Sequence, residues 1–369
     1  MERKSSGSIP RIEPWLRLRH CRRLPALAAV RLVSAAGGAD AVLSASTSWL
    51  REITENRNIS SSILADHDQE GVQRDLAWLG QSEHHHVLPL CDSRYPALLR
   101  EIPDAPLLLY VRGDPASLNS KQLAIVGSRN PTPAGRSLAS RFARNLSRAG
   151  FAITSGLATG IDAAAHAGAL SVARPTIAVM ATGPDCVYPA GHRDLARSIE
   201  TAGGALVTER PVGARPTRQS FPQRNRIISG LSTGTLVVEA AERSGSLITA
   251  RLAGEQGREV YAVPGSILSP LSRGCHSLIR DGAVLVESES DILAEIGHAP
   301  PSVRERELAE DPNGDARVLI SAMGYDPVAV DTMIQRSGLT ADKVCSILLR
   351  LEMQGLVKAV TGGHYMRIG

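Results

Sequence analysis

Leu123-Ala124-Ile125-Val126 runs directly into Gly127-Ser128-Arg129-Asn130-Pro131-Thr132-Pro133-Ala134-Gly135, and from there into Leu138, Phe142 and Leu146 at a spacing of four. Four consecutive apolar residues without alternation predict a parallel strand buried on both faces. A spacing of four puts the following apolar residues on one stripe of a helix. Strand, glycine-containing turn and helix make half of a crossover unit, and its repetition decides the fold. Similar apolar runs follow at residues 151–154, 176–181, 205–208, 235–238, 260–263 and 283–286, with helical spacing between them. The series predicts an α/β fold with a doubly wound, mostly parallel sheet over residues 87–296.

On the N-terminal side the pattern changes. Leu24, Leu27, Val30, Leu32 and Val33 recur at helical intervals within a stretch reaching Leu79, which predicts a small helical module over residues 1–86. Pro89, Pro96, Pro103 and Pro106 then punctuate short apolar runs at 87–90 and 107–111, placing a domain boundary near His84. On the C-terminal side, residues 297–312 include His298-Ala299-Pro300-Pro301 and Arg304-Glu305-Arg306-Glu307 and have no apolar periodicity, as expected of a linker. Residues 313–369 read helix, helix, a Ser337-Gly338-Leu339-Thr340 turn, helix and hairpin, the order of a winged helix-turn-helix.

Composition narrows the function. The 369 residues carry 41 Lys plus Arg against 37 Asp plus Glu, a formal charge of +4 that names no polyanionic partner unless it is unevenly placed. It is unevenly placed: residues 127–161 hold five Arg and no acid, and residues 210–238 hold Arg210, Arg215, Arg218, Arg224 and Arg226 and no acid. With only 3 Phe, 3 Trp and 6 Tyr, an extended base-stacking platform is excluded, so nucleic-acid binding would rest on phosphates. The 5 cysteines never form a C-x-x-C pair, which argues against a disulfide framework or a thiolate metal site and for a reducing cytoplasm. No apolar run reaches the roughly 18–20 residues that span a bilayer, and no apolar core follows the basic N-terminus (Arg3, Lys4, Arg11, Arg17, Arg19, Arg22, Arg23).

The loops at the strand ends carry the chemistry. Gly127-Ser128-Arg129 and Ser155-Gly156-Leu157-Ala158-Thr159-Gly160-Ile161-Asp162 each follow a strand and open a helix, offering backbone N–H groups and a helix N-terminus to an anion. A plain tight turn is the alternative for either loop. Ser244-Gly245-Ser246 repeats the arrangement, as an anion contact or simply an N-cap. Guanidinium groups fit phosphate oxygens as a bidentate fork, so two acid-free arginine clusters at one sheet edge point to a groove along a nucleic-acid backbone. Asp162 and His166 stand four apart, the spacing of a metal or acid/base pair, but without a third ligand they read as a first-turn acid and a packed histidine. His84-His85-His86 reads as a solvated loop.

Taken together, these residues resemble the DNA-processing protein A family. Gly127-Ser128-Arg129, the 155–162 loop, Tyr188-Pro189, the run from Phe221-Pro222-Gln223-Arg224-Asn225-Arg226 to Ser232, the Ser244-Gly245-Ser246 loop and Val263-Pro264-Gly265 occur in the family's order, as do Tyr95-Pro96-Ala97-Leu98-Leu99 and Leu109-Tyr110-Val111-Arg112-Gly113-Asp114 upstream. The resemblance covers residues 87–296, and the terminal segment is similar to the winged helix some members carry. It implies an extended Rossmann domain that binds and protects incoming single-stranded DNA, helps load the RecA recombinase during natural transformation and acts as a homodimer, with single-strand-binding protein a further partner. It implies no catalytic residue, metal or cofactor. By position it assigns DNA contacts to Gly127, Ser128, Arg129, Ser155, Gly156, Arg215, Phe221, Arg224, Asn225, Arg226, Ser244, Gly245 and Ser246, with Arg215 where the family often has Lys. The N-terminal module lacks the Gly-Ile-Gly turn of a helix-hairpin-helix.

Two other readings exist. The core also resembles phosphoribohydrolase-like enzymes that process nucleotides, whose Pro-Gly-Gly-x-Gly-Thr-x-x-Glu loop is echoed by Ser232-Thr233-Gly234-Thr235 and Glu239 without its Pro-Gly-Gly and with Glu239 one residue too far. In the other, the winged helix reads duplex DNA, yet its recognition segment offers only Lys343 and Arg350 as cations.

Overall fold

The apolar runs become strands, and the sheet they build is wider than the runs alone predict. This computed structural model describes residues 11–21, 24–54, 63, 67–297, 314–324, 326–353, 356–360 and 363–367. They fall in two units, residues 1–298 and 299–369. The first unit opens with helices α1 (Ile12–Arg19), α2 (Ala26–Ala36), α3 (Ala39–Ser44), α4 (Thr47–Thr54) and α5 (Gln69–Leu79), followed by β1 (His85–Pro89), α6 (Ala97–Arg100) and β2 (Leu108–Gly113). Strict alternation then begins: β3 (Gln122–Val126), α7 (Pro133–Arg148), β4 (Ala152–Ser155), α8 (Ile161–Leu170), β5 (Thr176–Val179), α9 (Arg193–Thr201), β6 (Ala205–Thr208) and α10 (Ser220–Leu231). It continues with β7 (Gly234–Val237), α11 (Gly245–Glu255), β8 (Glu259–Ala262), α12 (Arg273–Arg280), β9 (Val284–Leu285) and α13 (Glu289–Glu295).

The strand order is β1-β2-β6-β5-β4-β3-β7-β8-β9. Pairing is parallel from β6 through β9, whereas β2 runs antiparallel to both β1 and β6. The two antiparallel strands are the proline-punctuated runs that sequence pattern leaves unassigned. No crossover helix of ordinary length joins them, so the strand–helix alternation that marks the others is missing.

Successive residues of a strand face opposite sides of the sheet. Ala124 and Val126 join a core with Ile227, Ile228 and Leu231 of α10 and Ala250 of α11. Leu123 and Ile125 join another with Phe142 and Leu146 of α7 and Ala165 of α8. Helices therefore cover both faces, which is why the central strands read as unbroken apolar runs. A further core unites Trp15, Leu32, Leu50 and Trp78 of the N-terminal helices with Leu108 and Tyr110 of β2. The first of those helices is hidden in the sequence by Arg11, Arg17 and Arg19, yet it buries Trp15, Leu16 and Leu18 and keeps two arginines in its last turn, where the helix dipole favours cations. Arg3, Lys4, Arg22, Arg23 and the linker beyond Gly297 lie outside the described residues.

The second unit contains α14 (Asp315–Met323), β10 (Val328–Ala329), α15 (Val330–Ser337), α16 (Ala341–Met353), β11 (Val357–Val360) and β12 (His364–Arg367). Leu319, Met333, Val344, Leu348 and Val357 form its core. Gly338, at φ 68°, ends α15 and turns the chain into the next helix, completing a winged helix-turn-helix. No described helix is long and apolar enough to cross a membrane.

The topology fixes one crevice. The chain leaves β3 for β4 on one side, while β7 pairs on the other side of β3. Ligands of open α/β sheets bind at such a switch point, outside the carboxyl ends of the strands.

Candidate nucleic-acid interface

At the end of β3 the backbone is drawn tightly against its neighbours. A Cβ on Gly127 would stand 2.7 Å from Ile161 Cγ1 and 2.9 Å from the Glu239 carbonyl oxygen, and Ser128 donates its N–H to that same carbonyl at 2.6 Å. The Glu239 carboxylate accepts from Thr132 N (2.9 Å) and Thr132 Oγ1 (2.6 Å) at the start of α7. A Cβ on Gly135 would meet that carboxylate at 2.3 Å, so the glycine is there to admit it. Glu239 thus holds a helix start, with each carboxylate oxygen accepting a bond from Thr132.

At the end of β4, Ser155 is fully buried and donates its hydroxyl to Ile125 O at 2.6 Å, tying two strands together. Gly156 and Ala158 donate their N–H groups to Asp162 Oδ2 at 3.1 and 3.3 Å. Beside them lies the buried Arg224 of α10, whose Nη1 donates to Val179 O at 2.5 Å and to Gly156 O, while Nε donates to Asn225 Oδ1 at 3.2 Å. A Cβ on Gly156 would fall 2.3 Å from that guanidinium, which dictates glycine here. Burial pushes the Asp162 carboxyl up, with the Arg224 charge and the N–H donors opposing. Burial likewise lowers Arg224 to about 10, against the pull of Asp162. His166 is buried, and Thr176 Oγ1 spends its proton on Ile153 O, so the 2.8 Å contact makes His166 Nδ1 the donor. Burial, with the nearby His192 and Arg224 charges, holds that imidazole neutral, down to about 3. Asp162 and His166 are structural, and no metal-ligand cluster is present among the described residues.

Above this floor opens a cavity of about 620 Å³, bordered by Gly127, Ser128 and Arg129, by Arg218, Phe221, Arg224 and Asn225, and by Arg243 with the Ser244-Gly245-Ser246 loop. Its one carboxylate, Asp162, is spent on backbone N–H groups. Ser244 caps α11 by accepting from Ser246 N at 3.3 Å, and Asn225 Nδ2 donates to Gly245 O at 3.3 Å. Among the described residues Arg129, Arg215, Arg218 and Arg243 make no side-chain hydrogen bond or ion pair. Arg129 lies over the Phe221 ring with 5.1 Å to its centroid. Phe221 in turn meets the half-exposed Tyr188 ring at 5.8 Å. Arg129 and Phe221 border both the main cavity and a smaller one of about 110 Å³, which Tyr188 also lines.

The structure gathers nine of the thirteen sequence-derived residues on the main cavity, with four exceptions. Ser155 is fully buried with its hydroxyl committed to Ile125 O, so it is no DNA contact, and Gly156 borders only the smaller cavity. Arg226 follows Arg224 by two positions, roughly 200° around a helix, and so leaves the cavity. It pairs instead with Glu209 Oε2 (2.5 Å) and Asp104 Oδ2 (3.0 Å), lining a separate cavity of about 350 Å³ with Arg19 and Arg210. Arg215 stands exposed on the loop before α10, outside the cavity wall. Conversely, Arg218 and Arg243 line the cavity without having been singled out as contacts. Arg243 could have been found, since it directly precedes the Ser244 helix cap.

Known proteins resemble this chain over most of its length. Residues 86–297 match the family model described as DNA recombination-mediator protein A, and residues 299–363 match the DprA winged helix domain. Protein Smf of Escherichia coli K12 is 42% identical over 303 residues, covering 80% of this chain and 81% of that one. The DNA processing protein DprA of Streptococcus pneumoniae R6 is 46% identical over 206 residues, covering 56% and 72%. The X-ray structure of DprA from Streptococcus pneumoniae superposes with a TM-score of 0.68 at 34% identity, covering 78% of this chain and 99% of that one. DNA processing protein A of Helicobacter pylori, whose structure addresses its single-stranded DNA binding mode, gives 0.52 at 28% identity, covering 57% and 95%.

Proposed function

The chain belongs to the DNA recombination-mediator protein A family, and on that premise we propose that it binds single-stranded DNA in the arginine-lined cavity at the switch point of its sheet. The observation that carries this is the unspent charge: Arg129, Arg218 and Arg243 face one cavity with no carboxylate free to neutralise them. An exposed guanidinium without a partner has no internal ion pair to break before it forms a charge-assisted bond to phosphate. The start of α11, with the positive end of its helix dipole, borders the same cavity. Tyr188 and Phe221 supply rings for one or two bases, worth about 1–3 kcal/mol each. The single-strand binding described for the Helicobacter pylori relative agrees in kind.

In this reading Arg215 extends the phosphate track, Asn225 and Ser246 line it, and Ser155, Gly156 and Arg224 shape its floor. The chain divides into residues 1–86, 87–296, 297–312 and 313–369. It works in the cytoplasm as a homodimer, protecting incoming strands, handing them to RecA beside single-strand-binding protein during transformation, and performing no catalysis.

The test is fluorescence anisotropy on a labelled single strand and its duplex across a salt series. The wild-type chain should prefer the single strand, with a log–log salt slope of about −0.7 per neutralised phosphate. Arg129→Glu and Arg215→Glu should each weaken binding about 10- to 100-fold with unchanged thermal unfolding. Unchanged affinity in both variants overturns the cavity assignment.

A further inference from the structure

The helical module that precedes the sheet grips the loop that carries Arg215. Asp75, on α5, is 0% exposed, and three elements donate to its carboxylate. These are the His20 ring Nε2 just past α1 at 2.7 Å, the Tyr110 hydroxyl on β2, and the backbone N–H of Val212 at 3.0 Å. Three donors satisfy a buried carboxylate without water. His20 is seated against Gly71, where a Cβ would stand 2.5 Å from the imidazole. Immediately before His20, Arg19 Nε donates to Glu209 O at 3.2 Å. The Val212 side chain packs against the module's own core. The module therefore holds residues 209 and 212 of the loop.

The other side of the loop is moored to the sheet: Gly213 N donates to Asp185 Oδ1 at 2.9 Å, and Ala214 O accepts from Gly183 N at 2.8 Å. Immediately beyond these anchors stand the exposed Arg215 and Arg218. We propose that Asp75 is a positioning residue for single-strand binding: through the Val212 N–H it fixes the loop so that Arg215 and Arg218 lie along the phosphate path. The N-terminal module thereby acts on DNA as the scaffold of that loop. This rests on the DNA-binding reading above.

The full chain is titrated with a labelled oligodeoxythymidine as wild type, Asp75→Ala, Asp75→Asn, Arg215→Ala/Arg218→Ala and Asp75→Ala combined with that pair, with thermal unfolding alongside. Asp75→Ala should weaken binding about tenfold and remove about one to two phosphates from the salt slope. In the Arg215→Ala/Arg218→Ala background it should cost nothing more, because residues acting through one another are non-additive. Asp75→Asn, which keeps a side-chain carbonyl for Val212, should bind within about threefold of wild type. A folded Asp75→Ala that binds normally, or losses that multiply in the combined variant, overturns the tether. If Asp75→Ala does not fold, Arg19→Met removes only the bond to Glu209 O and should show a smaller loss, again absent in the double-arginine background; no loss overturns the proposal. A wild-type chain that ignores the single strand overturns the DNA-binding reading itself and the tether with it, a result distinct from normal binding by Asp75→Ala.

Discussion

Helix α10 carries Arg224 and Arg226 two residues apart, and the two lead opposite lives. Arg224 is sealed beneath the switch-point cavity, its guanidinium spent on the carbonyls of Gly156 and Val179. Arg226 is spent on Glu209 and Asp104, on the far side of the helix. Both are committed to partners within the protein, whereas among the described residues Arg129, Arg218 and Arg243, around the cavity mouth, make no side-chain hydrogen bond or ion pair. A cluster of arginines counted along a sequence therefore says less than the carboxylates and carbonyls the fold brings to each. Buried and paired guanidinium groups build the wall, and exposed unpaired ones meet the ligand.

The largest effect that would break this contrast lies at Arg224. Arg224→Ala strips two strand-end carbonyls of their donor and leaves Asp162 buried without its compensating cation. The expected cost is about 2–5 kcal/mol, from two buried carbonyls left unsatisfied at about 1–3 kcal/mol each, read as a shift in the urea midpoint. DNA binding should fail only as far as the fold fails. A variant that keeps wild-type stability but loses DNA would make Arg224 a ligand contact and erase the distinction between wall and mouth.

Sequence shows the strand ends but not this distinction. Residues 123–126 are legible because a strand covered on both faces has no polar position to hide it. Residues 87–90 and 107–111 are not, because their partners lie across a proline-rich connection and no helix follows in rhythm. Arg224 and Arg226 look alike in the string Arg224-Asn225-Arg226, since which side of the helix each takes depends on where α10 begins and what packs on it. Tyr188 and Phe221 meet across 5.8 Å although a strand and a helix separate them in the chain. Asp75 shows no signal at all: an acid on an amphipathic helix is ordinarily solvated, and only the fold brings the Val212 N–H to it.

A smaller effect sharpens the contrast at the floor of the cavity. Asp162 and His166 lie one turn apart on α8, and His166 is held neutral down to about 3, below its unfolded value near 6.5. Between those pH values the unfolded chain binds a proton that the native chain refuses. Stability therefore falls as the pH drops below about 6.5, by at most about 1.4 kcal/mol per unit, and is unaffected above it. His166→Gln should flatten that acid limb in denaturant titrations between pH 7 and pH 5, leaving DNA affinity at neutral pH intact. An unchanged limb would mean that His166 charges within the fold, as a group open to the cavity would.

The smallest effect is expected at Arg226, where the contrast is most easily lost to sequence resemblance alone. Arg226→Met keeps the aliphatic stem against α10 and removes two ion pairs whose carboxylates are 20% and 54% exposed. Water can take over both acids, so the loss of stability should be about 1 kcal/mol. Single-strand affinity and its salt slope should stay within about twofold of wild type, because no phosphate contact disappears. A steep fall in the slope would place the strand along the 350 Å³ cavity between Arg19, Arg210 and Arg226. The paired arginines would then be partners that DNA pulls away from Glu209 and Asp104, and the division between spent and unspent charge would describe the free protein only.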